Sequence, residues 1–315
     1  MNHGSRLNGM HELVGALAVA QVVICGDRLD SPLDGTILYV APDEASGARD
    51  QNRPASGHNL AILEKRSPRE FASEAFWEDT YLGDVVLPCR VRSEMPIERC
   101  LMRELERYAA VTRGAHVLEV GCAPGRWMVF YAERFGANVD GVEYAEGAAA
   151  LTERNLEACG VAGQVHHADF WEFRAPERYD LVLSLGFIEH FENPEAAFRR
   201  HAELIAPGGR LALGVPNFRG VTRVLQKWFD PAWLTLHNPA AVRGDIFLAS
   251  APALGLSLLT DRYLGGFDPD MISTRKRGRP FLAPFWHLRH RGLGDRLNAS
   301  WLSSYRLLVF ERSAA

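Results

Sequence analysis

VLEVGCAPGRWM, residues 117–128, runs from an apolar stretch through a loop of small residues into a second apolar segment. The first part reads as a buried strand, the middle as a tight turn and the last as the start of a helix. Gly121, Ala123 and Gly125 carry little or no side chain. Such residues permit positive φ and let backbone N–H groups approach a bound molecule closely. The loop is therefore expected to hold a ligand, and phosphate is the first candidate.

The surrounding pattern narrows that choice. MPIERCLMRELERYAAVTRG (95–114) repeats its apolar residues at intervals of three and four, which predicts a helix ending near Gly114. Beyond it, HVLEV (116–120), NVDGVE (138–143), GQVHHA (163–168), DLVLSL (180–185) and GRLALGV (209–215) read as strands. Helical patterns fall at 126–135, 145–158 and 192–205. The alternation predicts an α/β fold, a doubly wound parallel sheet with helices on both faces and ligands at the carboxyl ends of its strands. A dinucleotide fold asks for G-x-G-x-x-G, but counting from Gly121 only Gly121 and Ala123 fit, and Arg126 takes the third place. The pyrophosphate reading weakens accordingly. What decides is the order of the remaining signals: Glu119 before the loop, Glu143 ending the second strand, Asp169-Phe170 after the third, SLGFIEHF (184–191) after the fourth and APGGRL (206–211) leading the fifth.

In that order these stretches resemble the class I S-adenosylmethionine-dependent methyltransferases, tightly over residues 114–218 and loosely elsewhere. EVGCAPG looks like the family's first motif, with Ala123 where glycine is commoner. The resemblance implies a seven-stranded sheet of order 3-2-1-4-5-7-6 with strand seven antiparallel. LSLLTDRYLG (256–265) and SYRLLVFE (304–311) would supply strands six and seven. It also implies S-adenosyl-L-methionine as cofactor and methyl transfer to a small organic acceptor, at O, N or C. Gly121, Cys122, Ala123 and Gly125 would then surround the methionine moiety rather than a phosphate. Glu143, followed by Tyr144, would take the ribose, because one carboxylate can accept from two hydroxyls at once. Asp169 would accept from the adenine amine with Phe170 against the ring, and Ser184 would lie at the end of strand four. Glu119 would either face the cofactor's ammonium or stabilise its own loop.

On the acceptor side, His190 is the candidate general base, since an imidazole takes protons near neutral pH, with a structural hydrogen bond as the other reading. Trp77, Tyr81, Phe187, Glu189 and Asn217 are candidate pocket residues, although aromatics at such spacing also suit a plain core. No Asn/Asp-Pro-Pro-aromatic stretch follows strand four, which argues against nucleobase amines, and Cys89 of Pro88-Cys89 precedes the loop and reads as structural. Strands four and five end in Ser184 and Asn217 without an acidic cluster, so no metal site is expected and the chemistry is read as metal-independent. The segment 218–255, with Trp228, Phe229, Trp233 and His237, resembles the inserted cover of quinone-type and natural-product methyltransferases.

Bulk properties agree with a small-molecule enzyme. The 315 residues are 47% hydrophobic and 23% charged, with formal net charge −4, which disfavours wholesale nucleic-acid binding. Five scattered cysteines without C-x-x-C spacing suggest a reducing cytoplasm rather than disulfides or zinc. LVGALAVAQVVIC (13–25) is too short to span a bilayer and lacks the flanks of an export signal. The expected organisation is an extension and flexible linker at 1–58, a helical cap at 59–113 contributing to the acceptor pocket, and a methyltransferase domain at 114–315 with inserted cover at 218–255 and 266–300. Two other readings are carried: a cofactor-binding protein without catalysis, and a DNA-associated protein using RKRGRP (275–280), an AT-hook-like sequence suited to narrow minor grooves.

Overall fold

The computed structural model describes residues 70–74, 76–77, 85–273, 282 and 297–314. The extension 1–58, Tyr81, the RKRGRP stretch and most of 266–300 lie outside the described residues.

Seven strands form one sheet: β1 (His116–Val120), β2 (Asn138–Glu143), β3 (Gly163–His167), β4 (Tyr179–Leu185), β5 (Ile205–Pro216), β6 (Leu256–Leu264) and β7 (Tyr305–Arg312). Their order is β3-β2-β1-β4-β5-β7-β6. The first five run parallel, and β7 pairs antiparallel with both β5 and β6. This is the order and sense that the resemblance implies. The helices that position the sheet include α1 (Pro96–Tyr108), α2 (Arg126–Phe135), α3 (Glu146–Cys159), α4 (Pro194–Leu204), α5 (Gly220–Phe229), α6 (Pro239–Arg243) and α7 (Asp245–Ser250).

Side chains alternate between the two faces of a strand, so a sheet covered on both sides needs apolar residues at nearly every position. On one face, Val117, Leu181, Leu183, Leu307 and Val309 pack with Leu101 and Leu105 of α1 and Trp127 and Tyr131 of α2. On the other, Leu118, Val120, Val182, Leu213, Leu308 and Phe310 pack with Phe198 of α4 and Phe247 of α7. Helix starts follow local chemistry: Asn193 caps α4 by accepting from the Ala196 N–H at 3.0 Å, with Pro194 in the first turn.

Two boundaries differ from the expectation. Helix α1 ends at Tyr108, not near Gly114: Ala109 leaves helical geometry at φ −129°, and the chain turns again between Thr112 and Ala115, with Gly114 at φ +81°, before entering β1. Strand β5 starts at Ile205, not Gly209: the Pro207-Gly208-Gly209 stretch is absorbed by a register shift against β4 between Tyr179 and Leu181.

Arg126, which spoils the dinucleotide pattern, has a structural use. It is 3% exposed, and its Nη1 lies 3.2 Å from Oε1 of Glu98, which is fully buried on α1. Arg92 meets the same oxygen at 2.9 Å. The pair ties the start of α2 to α1, directly behind the ligand loop.

Candidate active site

The loop after β1 is fastened to β2. The N–H groups of Gly121 and Cys122 both donate to the Val142 carbonyl, at 2.9 and 3.3 Å. Gly121 has φ +68°, and a Cβ there would stand 2.7 Å from the ring of Phe187. Gly141 of β2 admits the loop from the other side, since a Cβ on it would reach Cys122 Sγ at 2.5 Å. Ala123 packs with Trp77, Ala145, Ala148 and Leu151, so the described residues before α1 rest against the loop. Glu119 Oε2 accepts from the Met128 N–H at 3.2 Å, closing the first turn of α2.

Glu143 ends β2 nearly buried, its Oε1 accepting from the N–H groups of Tyr144 and Ala145 at 3.0 and 3.1 Å. A carboxylate has about four acceptor sites, so capacity remains for an outside donor. Burial raises its pKa to about 7 against the opposing pull of those amides. The Tyr144 hydroxyl is buried with no hydrogen-bond partner. Asp169 accepts from the Trp171 N–H at 2.8 Å and shapes its own turn. Phe170 is 4% exposed, with Phe187, His201, Trp171 and Phe191 rings around it. The adenine-facing role expected for Phe170 thus meets a ring already built into the core. Glu70, which no sequence signal marked, stands in the same field as Glu143 and Asp169, and burial raises its pKa to about 7.

At the end of β4, Ser184 Oγ is buried without a partner. The turn Ile188–His190 follows. His190 receives the edge of Trp77 at 4.8 Å between ring centroids, and its Nδ1 lies 2.8 Å from the Leu236 carbonyl. Burial lowers its pKa to about 4, so the near-neutral basicity expected of it is not what this environment gives. Glu189 is fully buried, and neither carboxylate oxygen has a hydrogen-bond partner among the described residues. The Asn217 amide donates to the Ser300 and Ser303 carbonyls, tying the end of β5 to the approach of β7, and its Oδ1 has no partner among the described residues. His237, between β5 and β6, meets the His190 ring at 4.9 Å. Glu189, His190 and His237 bring one ligand atom each within 4.8 Å of one another, a grouping that sequence spacing did not reveal.

The buried acids set a pH dependence. Burial raises the pKa of Glu119 to about 8, of Glu189 to about 8 and of Glu143 to about 7, against 4.5 ordinarily. The folded state thus binds protons that the unfolded chain has released, and their contribution to stability is lost as pH rises from 4.5 through about 8. His190 and His201, lowered to about 4 from 6.5 by burial, act only on the acid side, where the unfolded chain gains the protons. The ligand-free melting temperature is therefore expected to fall between about pH 7 and about pH 8.5. Scanning calorimetry across that interval checks it, and a rise contradicts the burial assignments.

Comparison with known proteins agrees with the fold. A family model for a methyltransferase domain matches residues 92–242. The ubiquinone biosynthesis O-methyltransferase of Aromatoleum aromaticum is 30% identical over 106 residues, covering 33% of this chain and 45% of that protein. Its namesake in Pseudomonas aeruginosa is 31% identical over 106 residues with the same coverage. The chain thus spans about half the length of the curated relatives it matches. Among solved structures, an S-adenosylmethionine-dependent methyltransferase from Thiobacillus denitrificans, in complex with S-adenosyl-L-homocysteine, aligns at TM-score 0.46 and 18% identity, over 70% of this chain and 93% of that one. Residues 92–242 thus match a methyltransferase domain, and they lie in a sheet whose strand order is the one that the resemblance to class I S-adenosylmethionine-dependent methyltransferases implies.

Proposed function

We propose that the protein is an enzyme that transfers a methyl group from S-adenosyl-L-methionine to a hydroxyl of a small organic acceptor. The observation that carries this reading is the meeting, at one end of the parallel strands, of a ligand loop with unspent polar groups: Glu143 with remaining acceptor capacity, and Ser184 Oγ with no partner. These fit a ribose and a methionine moiety. Gly121, Cys122, Ala123 and Gly125 would hold the latter, Glu143 the ribose diol, and Asp169 with Tyr144 the base. When bound, the cofactor supplies an electrophilic methyl on a sulfonium. The chain's part is alignment and exclusion of water, which lowers the entropic cost of an in-line displacement. Trp77 and Phe187 wall the acceptor side, and His190 presents a positioned lone pair in place of a strong base. The names of the O-methyltransferase relatives support oxygen as the acceptor atom. Residues 59–113 serve as the cap and 218–255 as the cover. A cytoplasmic setting suits the four free cysteines among the described residues.

The test is turnover. Purified protein with methyl-labelled cofactor and separate panels of phenols, catechols, amines and carbanion-forming acceptors should release S-adenosylhomocysteine with a labelled oxygen-methyl product. Cofactor binding without product on any panel would favour the non-catalytic reading. Labelling at nitrogen or carbon alone would replace the acceptor atom.

A further inference from the structure

We propose that Glu189, His190 and His237 hold a divalent transition-metal ion of the zinc type, with an open position facing the cavity beneath the segment between β5 and β6. The site is assembled across elements. Glu189 and His190 come from the turn after β4, and His237 from the turn Pro231–Leu236 and its exit. The two are interlocked: Asn238 N–H donates to the Glu189 carbonyl at 2.6 Å, and its side-chain amide donates to the Phe191 and Glu192 carbonyls at 3.0 Å each.

Both imidazoles are oriented as metal ligands are. His190 Nδ1 lies 2.8 Å from the Leu236 carbonyl, and His237 Nδ1 lies 2.9 Å from the Trp233 carbonyl. A carbonyl only accepts, so each Nδ1 carries the hydrogen and each Nε2 keeps its lone pair. An N–H anchored in this way, opposite the ligating nitrogen, is the usual support of a metal-bound histidine. The third donor is Glu189, fully buried with both oxygens unpartnered, and the nearest cation-forming group is His190 Nε2 at 3.8 Å. An unpartnered carboxylate in the interior is costly. A single cation answers the carboxylate and both lone pairs together.

The donor set selects the ion. Two imidazoles and one carboxylate suit Zn²⁺ and its transition-metal neighbours, whereas Mg²⁺ prefers an oxygen shell. Bonds of about 2.0–2.1 Å in tetrahedral geometry set ligand atoms about 3.3 Å apart. The three ligand atoms lie within 4.8 Å of one another, so a bound ion would draw them together through side-chain rotation. Of the three ligands, His237 also lines a cavity of about 280 Å³ with Phe218, Leu234, Arg219, Arg223 and Arg243. Among the described residues no acidic side chain lines it, and none of these three guanidinium groups is in an ion pair. An anionic oxygen therefore suits the open position. On the methyltransferase reading, that oxygen is the acceptor's hydroxyl, which loses its proton to water more readily beside a divalent charge. His190 then acts on the acceptor through the ion. The metal site itself rests on the cluster and is tested without turnover.

The untagged full chain, dialysed against chelator, is titrated with zinc sulfate by calorimetry, with magnesium chloride as the control. One Zn²⁺ per chain is expected, with a raised melting temperature and no response to Mg²⁺. His237→Ala and Glu189→Gln should each weaken Zn²⁺ binding by more than about tenfold. Glu189→Gln keeps the size of the side chain and removes the cost of a buried charge, so its melting temperature without metal should be no lower than that of wild type, which certifies the fold. Substitution by Co²⁺ gives an independent readout: wild type should show the d–d absorption of a nitrogen- and oxygen-ligated tetrahedral site, and His237→Ala should lose it. Absence of stoichiometric Zn²⁺ binding, or equal binding by wild type and a folded Glu189→Gln, overturns the proposal. S-adenosylhomocysteine binding measured on the same samples reports separately on the methyltransferase reading.

Discussion

Glu98→Ala is expected to lower the unfolding free energy by about 3–5 kcal/mol, the usual cost of removing one partner from a buried ion pair. Glu98 is fully buried and is shared by Arg92 and Arg126, at 2.9 and 3.2 Å. Its second oxygen accepts the Arg92 N–H. Taking the carboxylate away strands the Arg126 guanidinium, 3% exposed, in the interior with its Nη2 already unpartnered. Glu98→Gln keeps an acceptor oxygen and should cost less. Urea unfolding followed by circular dichroism gives both values, and a loss under about 1 kcal/mol for the alanine variant would show that the pair contributes nothing beyond a surface bridge. Because Arg126 opens α2, the same variant should also loosen the ligand loop before the domain melts.

The second large effect is on cofactor affinity. Glu143→Ala should weaken S-adenosylhomocysteine binding by at least about tenfold, since a hydrogen bond to a charged group is worth about 1.5–3 kcal/mol and about 1.4 kcal/mol is a factor of ten. This variant also removes the acceptor of the Tyr144 and Ala145 N–H groups, so its ligand-free stability should fall as well. Glu143→Gln is the cleaner probe, because its remaining carbonyl can serve those amides while the charge is lost. Wild-type affinity should rise as pH increases through about 7, where the buried carboxylate ionises, and the glutamine variant should be flat over the same range. Calorimetric titrations at several pH values decide it. Unchanged affinity in both variants would remove Glu143 from the cofactor site.

The strands and helices from β1 to β4 were legible locally. Burial on two faces writes apolar residues along each strand, and the stop between VLEV and GRWM requires a turn of small residues, so β1, α2 and β2 are read to the ends that the structure shows. Strand order was legible only through the resemblance, because alternation says that a sheet is parallel without saying which strands are neighbours. Periodicity overruns the end of α1, where Ala109 leaves helical geometry although apolar residues continue at the helical interval.

The sequence by itself determined the parallel architecture, the ligand loop with its small residues, and the acids that close β1 and β2. These features follow from burial and backbone sterics acting within one element, which a linear pattern records. Only the tertiary structure decided that Glu119 closes α2, that Arg126 belongs to Glu98, that Phe170 is enclosed by other rings and that Asn217 braces β7. It alone brought His237 beside Glu189 and His190, although His190 and Leu236 stand 46 residues apart. Such sets depend on which side chains of separate elements meet in space, and no spacing along the chain carries that information.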